Sequence, residues 1–493
     1  MFLKTLLIQI IQRSFDKINL MDQTADKSIA LVNYPCDYFW EFANGLTEQG
    51  FNVFWICATN YEARKLASKG VGSNFILNTV KDFKNNTKSN SLIKRELIKS
   101  EDPNFLSVNN IISMDRILSK LNQNDSLSYI LHLQDILIPF LVENNIKFVT
   151  SGRDTSLSLM SLKVCRHLGI KWVTPTRLRI PRNFYGFCES FEFHPLIKPR
   201  EVTEDDYQWA KAFLSEFRSG KSTKPVLKIA ARGFVDVLKL SRRHAAAFYD
   251  LAKRSIHDVG NHYSRYTLSN IVKMYLSRRL NMILYKLNNP GKSEVGSSPF
   301  VIYPLHTQPE SSIDVAGAFF SNQAELIKSI SRSLPIGFDL VVKIHPTDVD
   351  GKSIKFYKEI SNIPGVKIVD YKYDIKWLIM NAKIIFTLTG TMGYEGALLG
   401  KPVITFARTY YHNFPSVFFC KSPFDLAATI SESLKYLPND DSIINEIAKL
   451  KSCVFSGEVN RNYGESPSQL TIDDISQLKI AYSALYNILV DRE

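Results

Sequence analysis

Six cysteines in 493 residues, none of them in a C-x-x-C pair, leave no disulfide framework and no Cys/His set with zinc spacing. Cys36, Cys57 and Cys165 sit in or beside apolar segments, the usual setting of a buried free thiol, and a reducing cytosol is the expected compartment. No apolar run approaches the roughly 18 residues of a spanning helix, and mean hydropathy is −0.10, which excludes a polytopic membrane protein. No low-complexity segment, internal repeat or acidic metal motif is present. Hydrophobic residues at 45% and charged residues at 22% are globular proportions, so a wholly disordered chain is excluded too. A chain of this length has room for two to four domains and a large core.

The charge is unevenly placed. Residues 211–292 hold 17 Lys/Arg against 4 Asp/Glu, and the rest of the chain holds 44 of each. One segment thus carries the whole excess of +13. Such a segment attracts an anionic lipid surface, a phosphorylated substrate or nucleic acid, or else is a solvated helical surface. It lacks the interleaved aromatics of an RNA-binding signature, so no nucleic-acid partner is expected. The N-terminal residues 1–13 are apolar but short, interrupted by Lys4 and Gln9, and no small-residue cleavage site follows. They read as a packed terminal helix, with an interfacial helix as the alternative.

Along the chain, strand and helix patterns alternate twice. Residues 28–32 form a short apolar strand, 33–37 a turn, 38–49 an amphipathic helix stopped by Gly50, and 51–56 a second strand. A strand at 147–150 enters Ser151-Gly152-Arg153-Asp154; a helix to His167, Gly169 and a strand at 170–173 follow. Residues 82–104 are polar, Lys- and Asn-rich, and read as a loop or a mobile helix. From 203 to 287 helical patterns dominate, and 288–293 read as a linker. A second series places strands at 300–304, 338–344, 366–369, 384–387 and 402–406, with helices at 316–334, 376–381 and from about 391 to 399. Strand–helix–strand repetition implies parallel sheets. The expected fold class is α/β: two Rossmann-like domains facing a cleft, joined by a basic helical connector. The expected bounds are an N-terminal helix at 1–26, a first Rossmann-like domain at 27–202, the connector at 203–292, a second Rossmann-like domain at 293–438 and C-terminal helices at 439–493.

Three strand ends carry the chemistry. In Thr387-Leu388-Thr389-Gly390-Thr391-Met392-Gly393-Tyr394-Glu395 a strand gives way to a helix, and the hydroxyls and free N–H groups at a helix start suit a phosphate. Gly393 would let backbone approach a ligand, and Glu395 would accept hydrogen bonds from a ribose diol. In Val342-Lys343-Ile344-His345-Pro346 a histidine sits where open α/β sheets bind ligands; its imidazole would bond a phosphate and Pro346 would face a base. The polar loop Leu305-His306-Thr307-Gln308-Pro309 follows the first strand of the same half. His194-Pro195 follows no strand and reads as incidental. The structural alternative for each is a capped helix or a Pro-held turn.

These elements resemble the bacterial capsule polysaccharide biosynthesis proteins, a family that includes the retaining Kdo transferases of capsule linker assembly. The matching pieces are Pro304-Leu305-His306, Lys343-Ile344-His345-Pro346, residues 389–402 and Tyr410-Tyr411-His412-Asn413-Phe414-Pro415, in the family's order and spacing. The first half departs from the pattern. Gly152-Arg153-Asp154 has the acidic and basic order changed, and Thr176-Arg177-Leu178-Arg179-Ile180-Pro181 lacks the family's glutamate.

The resemblance implies a GT-B glycosyltransferase of capsule synthesis that needs no metal or other cofactor. It also implies a nucleotide-sugar donor, with a CMP-linked, Kdo-like sugar favoured, and a glycan or lipid-linked acceptor. The donor would lie on His306, Gln308, Lys343, His345, Pro346, Thr389, Gly390, Thr391, Gly393 and Glu395. His345 would assist departure of the phosphate, and Asp154, Arg153 or Asp37 would position or deprotonate the acceptor. The expected location is cytoplasmic and peripheral at the inner membrane, through residues 211–292. A sugar-nucleotide epimerase and a non-catalytic polysaccharide-binding or export protein are the rival readings.

Overall fold

The computed structural model describes residues 27–81, 83, 107–152, 154–178, 184–191, 196–197, 199–220, 258, 260–346, 348–457 and 471–489. The expected N-terminal helix, the polar stretch 82–104 apart from Phe83, the centre of the basic segment, Arg153 and His194-Pro195 lie outside these, as does the side chain of Asp37. The chain divides into two compact units, Met1–Ser190 with Tyr249–Thr267 and Val454–Glu493, and Phe191–Phe248 with Leu268–Cys453. Each is a Rossmann-like α/β unit.

The first unit contains β1 (Lys27–Val32), α1 (Cys36–Glu48), β2 (Phe51–Cys57), α2 (Asn60–Ser68), β3 (Ile76–Asn78), α3 (Val108–Met114), α4 (Gln123–Glu143), β4 (Phe148–Ser151), α5 (Ser156–Leu168), β5 (Lys171–Arg177) and β6 (Phe184–Cys188). β1 is a continuous apolar run with Ile29, Ala30, Leu31 and Val32 fully buried, the signature of a strand covered on both faces. It pairs in parallel with β2 and with β4. The second unit contains α6 (Glu204–Arg218), α7 (Leu268–Asn288), β7 (Phe300–Pro304), α8 (Ser311–Asp314), α9 (Gln323–Ser333), β8 (Asp339–Lys343), α10 (Ile354–Ser361), β9 (Val366–Val369), α11 (Ile375–Asn381), β10 (Ile385–Thr387), α12 (Thr391–Leu398), β11 (Val403–Thr405), β12 (Val417–Phe419), α13 (Leu426–Ser433) and α14 (Asp440–Lys451). The chain then supplies β13 (Phe455–Ser456) and α15 (Ile472–Leu489) to the first unit.

The strand order of the second unit is β9-β8-β7-β10-β11-β12, all parallel. In a doubly wound sheet of this order the connections leave in opposite directions from the two central strands, so a crevice opens at the carboxyl ends of β7 and β10. The first unit has the order β13-β6-β5-β4-β1-β2-β3, with β6 antiparallel to β5 and to β13. Its corresponding point lies between β1 and β4.

The basic segment is not one connector domain among the described residues. α6 and α7 both pack in the second unit, whereas 258–267 belong to the first. The C-terminal stretch, expected as helices of its own, also divides, with α14 in the second unit and β13 and α15 in the first. Tyr482 of α15 explains that return. It is fully buried, hydrogen-bonds Thr150 at 2.9 Å and Tyr34 at 3.3 Å, and packs on Phe42 at a 4.9 Å centroid distance. All six cysteines are buried free thiols. Among the described residues no helix is long and apolar enough to cross a membrane.

Candidate functional site

The second unit brings three of the predicted strand ends to one edge of its sheet. β10 ends at Thr387, and Gly390 caps α12 without a side-chain bond of its own. Thr387 Oγ1 instead accepts the Gly390 N–H at 2.9 Å, which turns the chain from strand to helix in three residues. Gly393 N closes on Gly390 O at 3.1 Å, while the N–H groups of Thr391 and Met392 precede the intrahelical ladder. These donors and the positive end of the helix dipole suit an anion. Glu395 follows Thr391 by four residues and so shares its face of α12; both are half-buried.

The glycines serve packing. A Cβ on Gly390 would lie 2.6 Å from Thr387 Oγ1 and 3.1 Å from His306 Cε1. One on Gly393 would lie 2.6 Å from Tyr411 Oη and 2.7 Å from Thr387 Cγ2. The space expected for an approaching ligand at Gly393 is therefore occupied by the protein's own side chains. Tyr411, fully buried in the loop after β11, donates to Gly390 O at 2.7 Å and fixes the turn.

His306 is buried inside this turn. The Leu388 N–H donates to its Nε2 at 3.2 Å, and Thr387 Oγ1 lies 3.2 Å from the same nitrogen. Nε2 is thus an acceptor, and the neutral ring carries its proton on Nδ1. Burial, then the neighbouring His345 and the Lys352 charge, lower its pKa to about 3. His306 is accordingly a neutral strut that joins the β7 and β10 loops. Gln323, at the start of α9, grips the backbone on both sides of it, accepting from His306 N at 2.7 Å and donating to His306 O at 3.0 Å.

His345 is the half-buried histidine at the end of β8. Its Nδ1 lies 3.1 Å from Thr307 Oγ1 in the neighbouring β7 loop. Burial, and then the Lys343 charge, hold its pKa below the usual histidine range. Pro346, half-buried, follows it in a turn. Lys343 itself is 4% exposed, and its ammonium donates to Tyr371 O at 2.6 Å and to Asp370 O at 3.4 Å. Burial lowers its pKa to about 8 against the opposing pull of Asp370 and Asp374. Its charge is spent on the turn after β9. Gln308 is similarly engaged, donating to Asp314 Oδ1 at 2.8 Å and accepting from Lys352 Nζ at 3.2 Å. Thr389 is nearly buried and donates to Ser312 O at 3.3 Å.

The residues flanking Tyr411 line a cavity of about 850 Å³ that also takes in Arg200, Arg408, Asn413 and Lys449. Thr409, 2% exposed, also lines it.

In the first unit, Asp154 sits after β4, at the strand-order reversal. Arg116 grips its carboxylate with two N–H groups, Nη1 at 3.2 Å from Oδ1 and Nη2 closer still on Oδ2. Asn33, in the left-handed region at φ 56°, follows β1 and reaches Thr155 Oγ1 at 2.9 Å, tying the β1 and β4 loops together. Among the described residues no three His, Cys, Asp or Glu side chains are grouped to hold a metal ion.

Thr307, Gln323, Thr387, Tyr411 and Arg116 hold these loops by hydrogen bonds and were not assigned by the sequence reading. Tyr411 carried a signal, since it lies in the matched Tyr-containing loop. Gln323 and Arg116 carried none, because their partners are remote or in a different element.

Comparison with known proteins agrees with the strand-end motifs. Residues 239–414 match the family model described as capsule polysaccharide biosynthesis protein. No curated protein matches the chain. Among solved structures, the KpsC beta Kdo 2,7 transferase of Thermosulfurimonas dismutans is similar at 11% identity and a TM-score of 0.31, covering 71% of this chain and 90% of that one. A glycosyltransferase from Rickettsia africae is similar at 11% identity and a TM-score of 0.27, covering 95% and 100%. The UDP-GlcNAc 2-epimerase of Methanocaldococcus jannaschii is similar at 12% identity and a TM-score of 0.26, covering 86% and 97%. Likeness this loose transfers no activity, and the fold rests on the two strand orders. The three strand ends that form the candidate site lie within the matched residues, and over that stretch the chain carries the pattern of the capsule polysaccharide biosynthesis protein family.

Proposed function

We propose that this protein is a glycosyltransferase of capsule or surface-polysaccharide synthesis, moving a sugar from a nucleotide-sugar to a glycan or lipid-linked acceptor. One observation carries the reading. The α12 N-terminus, with Glu395 on the face of Thr391, follows β10 at the strand-order reversal of the second unit, and His345 follows β8 and is joined by Thr307 to the β7 loop. In this reading the α12 N–H groups and His345 stabilise the departing phosphate, as preorganised donors aimed at developing charge. Thr389, Gly390, Thr391 and Gly393 form the phosphate turn, and His306, Gln308 and Lys343 hold its supporting loops in register. Glu395 takes the ribose and Pro346 packs near the base. No metal is required, because backbone dipoles supply the positive potential.

The transferred sugar would occupy the cavity beside Tyr411. Arg408 in its wall favours a carboxylated sugar on a CMP donor, while Arg200 beside it is paired with Asp206 at 2.6 Å. Asp154, with its carboxylate oriented by Arg116, is the acceptor-side group, and the other candidates are Arg153, its neighbour in sequence, and Asp37, at the start of α1.

The test is donor turnover by the full chain, with and without a surface-glycan acceptor, in EDTA. Expected is acceptor-dependent nucleotide release that EDTA leaves intact and that His345→Ala lowers by about a hundredfold. Conversion of the donor to an epimer without acceptor would replace the transferase reading with the epimerase one. Folded protein with no turnover of any nucleotide-sugar would favour the binding or export role.

A further inference from the structure

Helix α7 (Leu268–Asn288) has two faces with different fates. Arg278, Asn281, Met282 and Tyr285 share the face turned to the second unit. Tyr285 donates to Asp370 Oδ2 at 2.6 Å and Asn281 to Asp350 O at 3.1 Å. Arg278 pairs with Asp348 at 3.5 Å, and Met282 packs on the apolar core. The opposite face carries Val272, Leu276, Leu280 and Leu287, spaced four, four and seven residues apart and so aligned in one stripe. They are 43, 60, 56 and 72% exposed. The stripe runs about 22 Å at the helical rise. Lys273 borders it on one side, and Arg279 and Lys286 on the other. Arg279 lies over the Tyr275 ring at 4.7 Å.

An aligned row of four exposed aliphatic side chains marks an interaction surface. We propose that this face of α7 lies in the interface of an anionic phospholipid bilayer. Charge selects the occupant. The stripe is edged by cations, and the helix lies in the segment of 82 residues that holds the chain's entire positive excess. An apolar row between basic residues matches a surface whose outer layer is anionic and whose interior is hydrocarbon. The Lys and Arg stems would reach up to the headgroups while the leucines enter the acyl boundary. The polar and ion-paired opposite face holds the helix to the protein, so α7 lies on the bilayer and does not cross it. This proposal is independent of the donor reading and would bring a membrane-resident acceptor within reach of the enzyme.

The test is co-sedimentation of the full chain with phosphatidylglycerol-rich vesicles and with pure phosphatidylcholine vesicles. The comparison variant is the double substitution Leu276→Glu, Leu280→Glu, and melting temperature controls for folding. Expected is wild-type binding to the anionic vesicles that weakens at least about tenfold on neutral ones or in high salt. The variant is expected to bind the anionic vesicles at least about tenfold more weakly with its melting unchanged. No wild-type binding would overturn the proposal. So would undiminished binding by the variant, since charge alone would then account for it. A wild-type dimer that the variant converts to a monomer, without vesicle binding, would assign the stripe to a second copy of the chain and overturn it likewise. If the double variant melts differently, Arg279→Glu, Lys286→Glu serves instead; it must lose anionic binding by a similar factor, and retained binding refutes the assignment.

Discussion

Gly393→Ala tests whether the turn into α12 is built as tightly as the geometry states. The added methyl would sit 2.6 Å from Tyr411 Oη, 2.7 Å from Thr387 Cγ2 and 3.2 Å from Tyr411 Cε2. All three atoms belong to fully buried side chains that also hold Gly390, Thr387 through its N–H and Tyr411 through its carbonyl. Neither can give way without loosening that residue. Overpacking of a tight site costs about 1–3 kcal/mol. A lost Tyr411 hydrogen bond adds about 1 kcal/mol. Alanine returns about 0.5–1 kcal/mol through its better helix propensity. The expected net loss is about 2 kcal/mol, read as a lower midpoint for the second unit in urea unfolding of the full chain. Tyr411→Phe removes the atom nearest to the clash. The double variant should therefore be about 1 kcal/mol more stable than the sum of the two singles implies. A Gly393→Ala protein as stable as wild type, or two strictly additive substitutions, would refute the packing argument and return Gly393 to the role of admitting a ligand.

Two further predictions concern buried bases. For Lys343, burial lowers the folded-state pKa to about 8 from an unfolded value of about 10.5, so the unfolded chain binds the extra proton between these limits. Wild-type stability should rise relative to Lys343→Met as pH climbs from about 8 to 10.5, by up to about 3 kcal/mol; a pH-independent difference would contradict the buried ammonium. His306 is held neutral with a folded-state pKa of about 3, so its contribution is complete above about pH 6.5 and is lost as pH falls toward 3. The stability gap between wild type and His306→Gln should shrink by about 2 kcal/mol from pH 7 to pH 5, as followed by urea midpoints across that range, and a gap that widens in acid would show His306 to be cationic in the fold.

Local pattern made much of the second unit legible. The strand at 300–304 and the one at 366–369 appear with the same bounds in β7 and β9, because apolar runs between turn residues have few alternatives. The helix expected over 316–334 breaks instead. Residues Ala318–Phe320 form a short 3₁₀ turn, and α9 starts at Gln323 after Asn322, whose side chain accepts the Glu325 N–H. That Asn-x-x-Glu start was visible in the sequence, but the apolar periodicity on both sides obscured it. The strand ends with His306, His345 and Thr389 also emerged from sequence, since their place after apolar runs is local information. Their duties did not. Whether a histidine faces solvent or braces a loop depends on Gln323, Thr307 and Thr387, which only the folded sheet brings near. Lys343 shows the same limit. A lysine at a strand end looks like a phosphate ligand until the turn after β9 supplies two carbonyls for it. The destination of the C-terminal chain was equally hidden, because Tyr482 meets Tyr34 and Thr150 across more than three hundred residues.

Calorimetric titration of the full chain with CMP, CDP, UDP and GDP, with wild type beside His345→Ala and Glu395→Gln, tests the central claim most directly. The account expects saturable one-site binding of one of these nucleotides, CMP in the favoured case, weakened at least about tenfold by either substitution. Folded wild-type protein that binds none of the four, or binding that both substitutions leave unchanged, would contradict the assignment of a nucleotide-sugar site to the carboxyl end of the second sheet.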